Sequence, residues 1–136
     1  MAAHVEIGVR ENEGITILDL SGRLVVSESL NTLRECVNRL IKEQQTRIVA
    51  NLAEVDYIDS TGLGTLVICY TTLQKAGGVL KLEKLNRRNI ELLLLTKLST
   101  VFELFNDEQS AVNSFFPERE ITHFDILSFV QDQKGK

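Results

Sequence analysis

The chain has 136 residues, 43% hydrophobic and 25% charged, the balance of one ordinary folded domain rather than of a disordered segment. Lys and Arg number 15 against 19 Asp and Glu, and the resulting net charge of −4 speaks against general nucleic-acid or anionic-membrane binding, which needs clustered positive charge. No apolar run is long enough to span a bilayer, and Met1 to Glu6 show no basic segment leading into an apolar one, so the expected location is the cytoplasm.

Apolar residues alternate at Val5, Ile7 and Val9, and the pattern resumes at Ile15, Ile17, Leu18 and Leu20 after Glu11-Asn12-Glu13-Gly14. This predicts two strands joined as a hairpin, with Ser21-Gly22 ending the second. Leu30, Leu33, Val37, Leu40 and Ile41 then repeat at helical spacing, with Ser27 or Ser29 as the cap. Arg47 to Leu52 is a compact strand, placed for parallel pairing through a crossover. Ala53 to Asp59 reads as an acidic loop. A second helix opens at Ser60, with Leu63, Leu66, Val67, Tyr70 and Leu73 on one face, and closes at Ala76-Gly77-Gly78. Val79 to Glu83 is the next strand, Ile90 to Leu98 a third helix, and Val101 to Phe105 a short strand or turn. Asp107 caps a fourth helix that runs to Phe116.

Strands first, then strands alternating with helices, define an α/β domain over 1–116. Its mixed sheet has four to five strands, with helices packed mainly on one face. Pro117, the only proline, marks the boundary of a C-terminal tail over 117–136, whose last six residues are polar and expected to fray. The tail's apolar cluster (Phe124, Ile126, Leu127, Phe129, Val130) fits a helix and an alternating strand equally well. Phe124, Ile126 and Phe129 are expected to dock, either back onto the domain or onto a second copy as a homodimer arm.

No nucleotide-binding glycine loop, nucleophile elbow or zinc-binding HExxH occurs, so no catalytic residue, cofactor or metal is expected. His4 and His123 lie at opposite ends of the chain, and Cys36 and Cys69 lack CxxC spacing and read as packing residues. Glu54-x-Asp56-x-x-Asp59 does not match a calcium loop.

The informative feature is Asp59-Ser60-Thr61-Gly62-Leu63-Gly64, where loop becomes helix. The plain reading makes Ser60 or Thr61 an N-cap worth about 1 kcal/mol. The functional reading makes Ser60 a phosphoryl acceptor, because a helix N-terminus accommodates the roughly −1.5 to −2 charges of a phosphate. One new like-charge contact at about 4 Å and an effective dielectric near 20 costs on the order of 4 kcal/mol, about a thousandfold in affinity. Ile68 and Thr72 fall away from the apolar face of this helix. Leu63, Thr65 and Ile68 are therefore expected, with Asp59, Thr61 and Gly62, to border a partner surface.

Val49 to Gly64, including this segment, closely resembles the signature of anti-sigma-factor antagonists, the STAS domains. The likeness continues through Gly77-Gly78-Val79-Leu80-Lys81-Leu82 and covers about Val5 to Phe116. The resemblance implies a binding protein whose unphosphorylated form holds an anti-sigma factor that is also a serine kinase. It implies inactivation by phosphorylation at Ser60 and resetting by a phosphatase. The other role that the resemblance admits is a non-phosphorylated scaffold or adaptor in a signalling or lipid-transport assembly. Many phosphorylated members carry Gly-Glu-x-Asp after the second strand, where this chain has Gly22-Arg23-Leu24-Val25. Both acids are gone. Arg23 then becomes a candidate partner for Asp59 or for a phosphate on Ser60, against the plain reading of a solvated loop residue.

Overall fold

A computed structural model describes residues 5–134, so His4 lies outside the described residues. β1 (Val5–Asn12) and β2 (Ile15–Leu24) form the antiparallel hairpin. Glu13 and Gly14 turn the chain at φ 54° and 83°, the left-handed pair that a two-residue hairpin requires. The remaining elements are α1 (Glu28–Lys42), β3 (Arg47–Ile58), α2 (Ser60–Lys75) and β4 (Val79–Glu83). They continue with α3 (Arg87–Leu95), a 3-10 turn (Leu98–Thr100), β5 (Leu104–Phe105), α4 (Glu108–Asn113) and α5 (Ile126–Lys134). The five strands stand in the order β1-β2-β3-β4-β5, parallel from β2 onward.

Several boundaries differ from the sequence expectation, the fourth helix among them, which ends at Asn113 rather than Phe116. β2 does not stop at Ser21-Gly22, and the acidic stretch from Ala53 is strand rather than loop. Register shifts between Asp19 and Ser21 and between Gly22 and Arg23 let Ser21–Leu24 pair with Glu54–Ile58. The shifts space the core residues Leu52, Val55 and Ile58 by three instead of two, which hides the strand from an alternation test. The third helix starts earlier and stops at Leu95, because Lys97 takes a left-handed φ of 64°. Ser27 occupies the N-cap position of α1, but its hydroxyl donates to the Val25 carbonyl at 3.0 Å and makes no cap bond.

One face of the sheet (Leu18, Leu20, Ile48, Ala50, Leu52, Leu80, Leu82) buries against α1, α2 and α3 through residues such as Leu33, Leu66 and Leu93. On the other face Ile15, Ile17, Val49 and Phe105 pack under Ala111 and Val112 of α4. The tail returns to its own domain as a short extended segment followed by α5. The Phe124 N–H donates to the Leu104 carbonyl at 2.8 Å, and His123 stacks on Phe105 with ring centroids 4.9 Å apart. Phe124 and Ile126 pack against the larger core. Phe129 tilts against Phe124 at 5.7 Å, and the polar end expected to fray continues the helix as far as Lys134.

Candidate functional site

β4 pairs only with Arg47–Asn51 of β3. Beyond Leu52, β3 therefore has β2 on one edge and, among the described residues, no strand on the other. Side-chain amides of α3 hold that second edge. Asn86 Nδ2 donates to the carbonyls of Val55 and Asp56 at 3.3 and 3.2 Å, and Asn89 Nδ2 donates to Val55 at 3.1 Å. The Asp59-Ser60 junction sits at the tip of this projecting ribbon.

Asp59, and neither Ser60 nor Thr61, caps α2. Its Oδ1 accepts the Gly62 N–H at 2.7 Å, and Oδ2 accepts the Val26 N–H at 3.1 Å. Its own N–H donates to the Leu24 carbonyl at 3.0 Å. One carboxylate thus ties the start of α2 to the end of β2. The signal was present in the sequence, since Asp is as good an N-cap as Ser and better than Thr. Gly62 lies directly against Leu24, whose carbonyl and Cβ occupy the space that a side chain would need.

With Asp59 in the cap, Ser60 becomes the first helical residue. It is exposed, and among the described residues its hydroxyl has no hydrogen-bond partner. Thr61 is exposed beside it. Leu63 and Thr65, expected to border the partner surface, are turned inward: each is only 6% exposed, and the Thr65 hydroxyl donates to the Thr61 carbonyl at 3.0 Å. Leu63 joins the core, and Thr65 satisfies its own helix. Ile68 does face out, at 44% exposure, on the stripe of α2 that Thr61 and Gly64 begin. Val26, exposed beside Asp59, was missed, because a single apolar residue after a strand has no periodic partner.

Arg23 does not pair with Asp59. Its guanidinium lies 5.1 Å from the centroid of the Tyr57 ring, and the guanidinium of Arg88 lies 5.1 Å from the same ring. Burial pushes the Cys69 thiol up to about 11 and that of Cys36 in the same direction, so both stay protonated packing groups. Among the described residues no cluster of three or more His, Cys, Asp or Glu is arranged to hold a metal. Nor is any helix long and apolar enough to cross a membrane.

A second polar cluster lies under α4, where Asp19, Asn51 and Glu83 sit side by side on β2, β3 and β4. Arg10 bridges Asp19 and Glu108, and hydrogen bonding to Arg10 is the main cause that holds the Glu108 carboxyl down at about 2. Glu83 is 0% exposed, its oxygens accept no hydrogen bond among the described residues, and in its protonated form it can donate to the Glu108 carboxylate. Burial, and next the charge of Glu108, push its carboxyl up to about 8. Nothing in the sequence marks Glu83, which reads as the polar end of a strand.

The STAS domain family model matches residues 6–111. The chain belongs to the STAS domain family. It is 33% identical over 109 residues to the anti-sigma-B factor antagonist of Bacillus subtilis, covering 80% of this chain and 98% of that protein. It is 25% identical over 113 residues to the anti-sigma-F factor antagonist RsfB of Mycobacterium tuberculosis, covering 79% and 89%. Its fold is similar to the crystal structure of an anti-sigma factor antagonist from Mycobacterium paratuberculosis, with a TM-score of 0.71 and 20% identity over 81% of this chain and 92% of the other.

Proposed function

We propose that this chain is an anti-sigma-factor antagonist that switches partners through phosphorylation of Ser60. The unphosphorylated form binds an anti-sigma factor with serine-kinase activity, that kinase modifies Ser60, and a phosphatase restores the free hydroxyl. The protein acts by binding, in the cytoplasm. One observation carries this reading: the Ser60 hydroxyl is exposed and unengaged on the first turn of α2 while Asp59 does the capping. A phosphate there meets the positive end of the helix dipole, so modification leaves the fold intact. Its charge also falls on the surface formed by Thr61, Val26 and Ile68, where a partner complex loses affinity on the scale of a new like-charge contact.

The test measures binding of Ser60→Ala and Ser60→Asp to the anti-sigma kinase of the same organism, with ATP present and absent. Ser60→Ala should bind in both conditions. Ser60→Asp should bind weakly while keeping the wild-type melting temperature. Wild type should start like the first variant and become like the second once ATP is added. Equal binding by all three proteins in both conditions would show an adaptor with no switch at this serine.

A further inference from the structure

Leu24 and Ile58 point into the larger core, so their neighbours Arg23 and Tyr57, paired in register, stand on the opposite face of the sheet. The apolar cluster under α4 does not reach them. Arg88, from the first turn of α3, reaches the same ring, and Arg87 lies 5.9 Å from the ring of Phe129 in the tail. Three exposed arginines therefore gather around the tip of the β2–β3 ribbon.

Among the described residues, none of these arginines pairs with a carboxylate, although Glu54 and Asp56 lie on the same strand as Tyr57. Arg10 and Arg119, by contrast, are each fixed by acids. A cation–π contact with the Tyr57 ring, at 5.1 Å from its centroid in each case, positions Arg23 and Arg88, and both remain exposed with N–H donors free for a ligand. A guanidinium edge fits a carboxylate bidentately, and a group already positioned on an aromatic ring loses less freedom on binding.

We propose that the Arg23–Tyr57–Arg88 stack is the docking point for an acidic segment of the protein partner that also covers Ser60. The inference rests on the functional reading above and adds the chemistry of the partner. Tyr57 and Ser60 are three residues apart, at most about 10 Å along an extended chain, so one partner segment spans both. Carboxylates on the stack bring the partner to the serine, and a phosphate on Ser60 then repels the same acids.

The experiment uses the full chain and a fluorescein-labelled poly-glutamate peptide, followed by anisotropy and by the arginine side-chain N–H resonances. Arg23→Gln and Arg88→Gln should each weaken binding about tenfold or more, the range for a lost hydrogen bond between charged groups. Tyr57→Ala should also weaken it, although no charge is removed. Arg34→Gln, an exposed arginine on α1, should bind like wild type, and melting curves will show that every variant folds. An equal loss at Arg34, no loss at Arg23 and Arg88, or equally tight binding of a single-stranded DNA oligonucleotide would overturn the proposal. No anti-sigma factor enters this measurement. Its failure therefore leaves the Ser60 switch standing, and failure of the switch leaves the peptide result standing.

Discussion

Gly62 stands so close to Leu24 that any Cβ at position 62 would run into the Leu24 carbonyl. The contact seats the first turn of α2 on the end of β2. A backbone carbonyl cannot rotate away as a side chain can, so the site demands glycine for space alone. Two residues on, a Cβ at Gly64 would meet nothing within 4 Å. The same substitution should therefore have opposite signs at the two positions. Gly62→Ala should lose about 1–3 kcal/mol by overpacking, and Gly64→Ala should gain about 0.5–1 kcal/mol of helix propensity. Urea midpoints moving in the same direction for both variants would show that the Leu24 contact is not what requires Gly62.

Asp59 bonds two amides that belong to different elements, Gly62 on α2 and Val26 after β2. Asp59→Ala should cost about 0.5–2 kcal/mol, the usual loss for an N-cap. It should also speed amide exchange at both Gly62 and Val26. Asp59→Asn keeps one oxygen acceptor and should protect Gly62 better than Val26. Unchanged exchange at Val26 in the alanine variant would mean that the second bond contributes nothing to the tie.

Glu83 gives a pH dependence with a definite sign. Its carboxyl is raised to about 8 from an ordinary 4.5. Between those values the folded chain keeps a proton that the unfolded chain has released. Stability must then fall as pH rises through this window and level off above about 8. Glu83→Gln removes the titration and keeps the shape of the acid. The variant should gain on wild type across the window, by up to about 5 kcal/mol at its upper end. Parallel stability-against-pH curves for the two proteins would place the titration elsewhere.

The tail covers the β5 edge through the Phe124–Leu104 backbone bond and the stacking of His123 on Phe105. Truncation after Pro117 removes both, together with the packing of Phe124 and Ile126 on the core. Full burial of each such side chain is worth about 1.5–3 kcal/mol, and these two are half-buried, so a loss of about 2 kcal/mol is expected. A shorter protein with an open sheet edge should also self-associate in light scattering. An unchanged melting temperature would mean that the tail docks without stabilising the domain.

Much of this architecture was legible because its elements obey simple periods. The hairpin, α1 and β4 follow alternation or helical spacing closely, and Gly77 closes α2 at φ 82°, as its place after the last turn suggests. In the candidate site the motif was legible but its bonding was not. Ser60 stood out as part of a motif, whereas the cap belonged to Asp59, and only the three-dimensional approach of Val26 explains why an acid with two oxygens is useful there. Thr65 reads as polar and outward, but a threonine that bonds the carbonyl four residues back can be buried at no cost in unpaired groups. Arg23 and Arg88 are 65 positions apart by their numbers, and no local pattern could bring them to one tyrosine.

The far half of β3 is built as an overhang, laddered to β2 on one edge only. Its root is the central, doubly flanked part of the sheet, and its free end carries the serine. One edge is laddered to β2, and on the other the brace is made of two asparagine amides gripping Val55 and Asp56. Side-chain props can let go one at a time, so such an arm yields before the sheet beneath it does. Ser60 thus stands between two moorings: Asp59 ties it to the end of β2 through Val26 and Leu24, and Asn86 and Asn89 tie the strand that leads to it to α3.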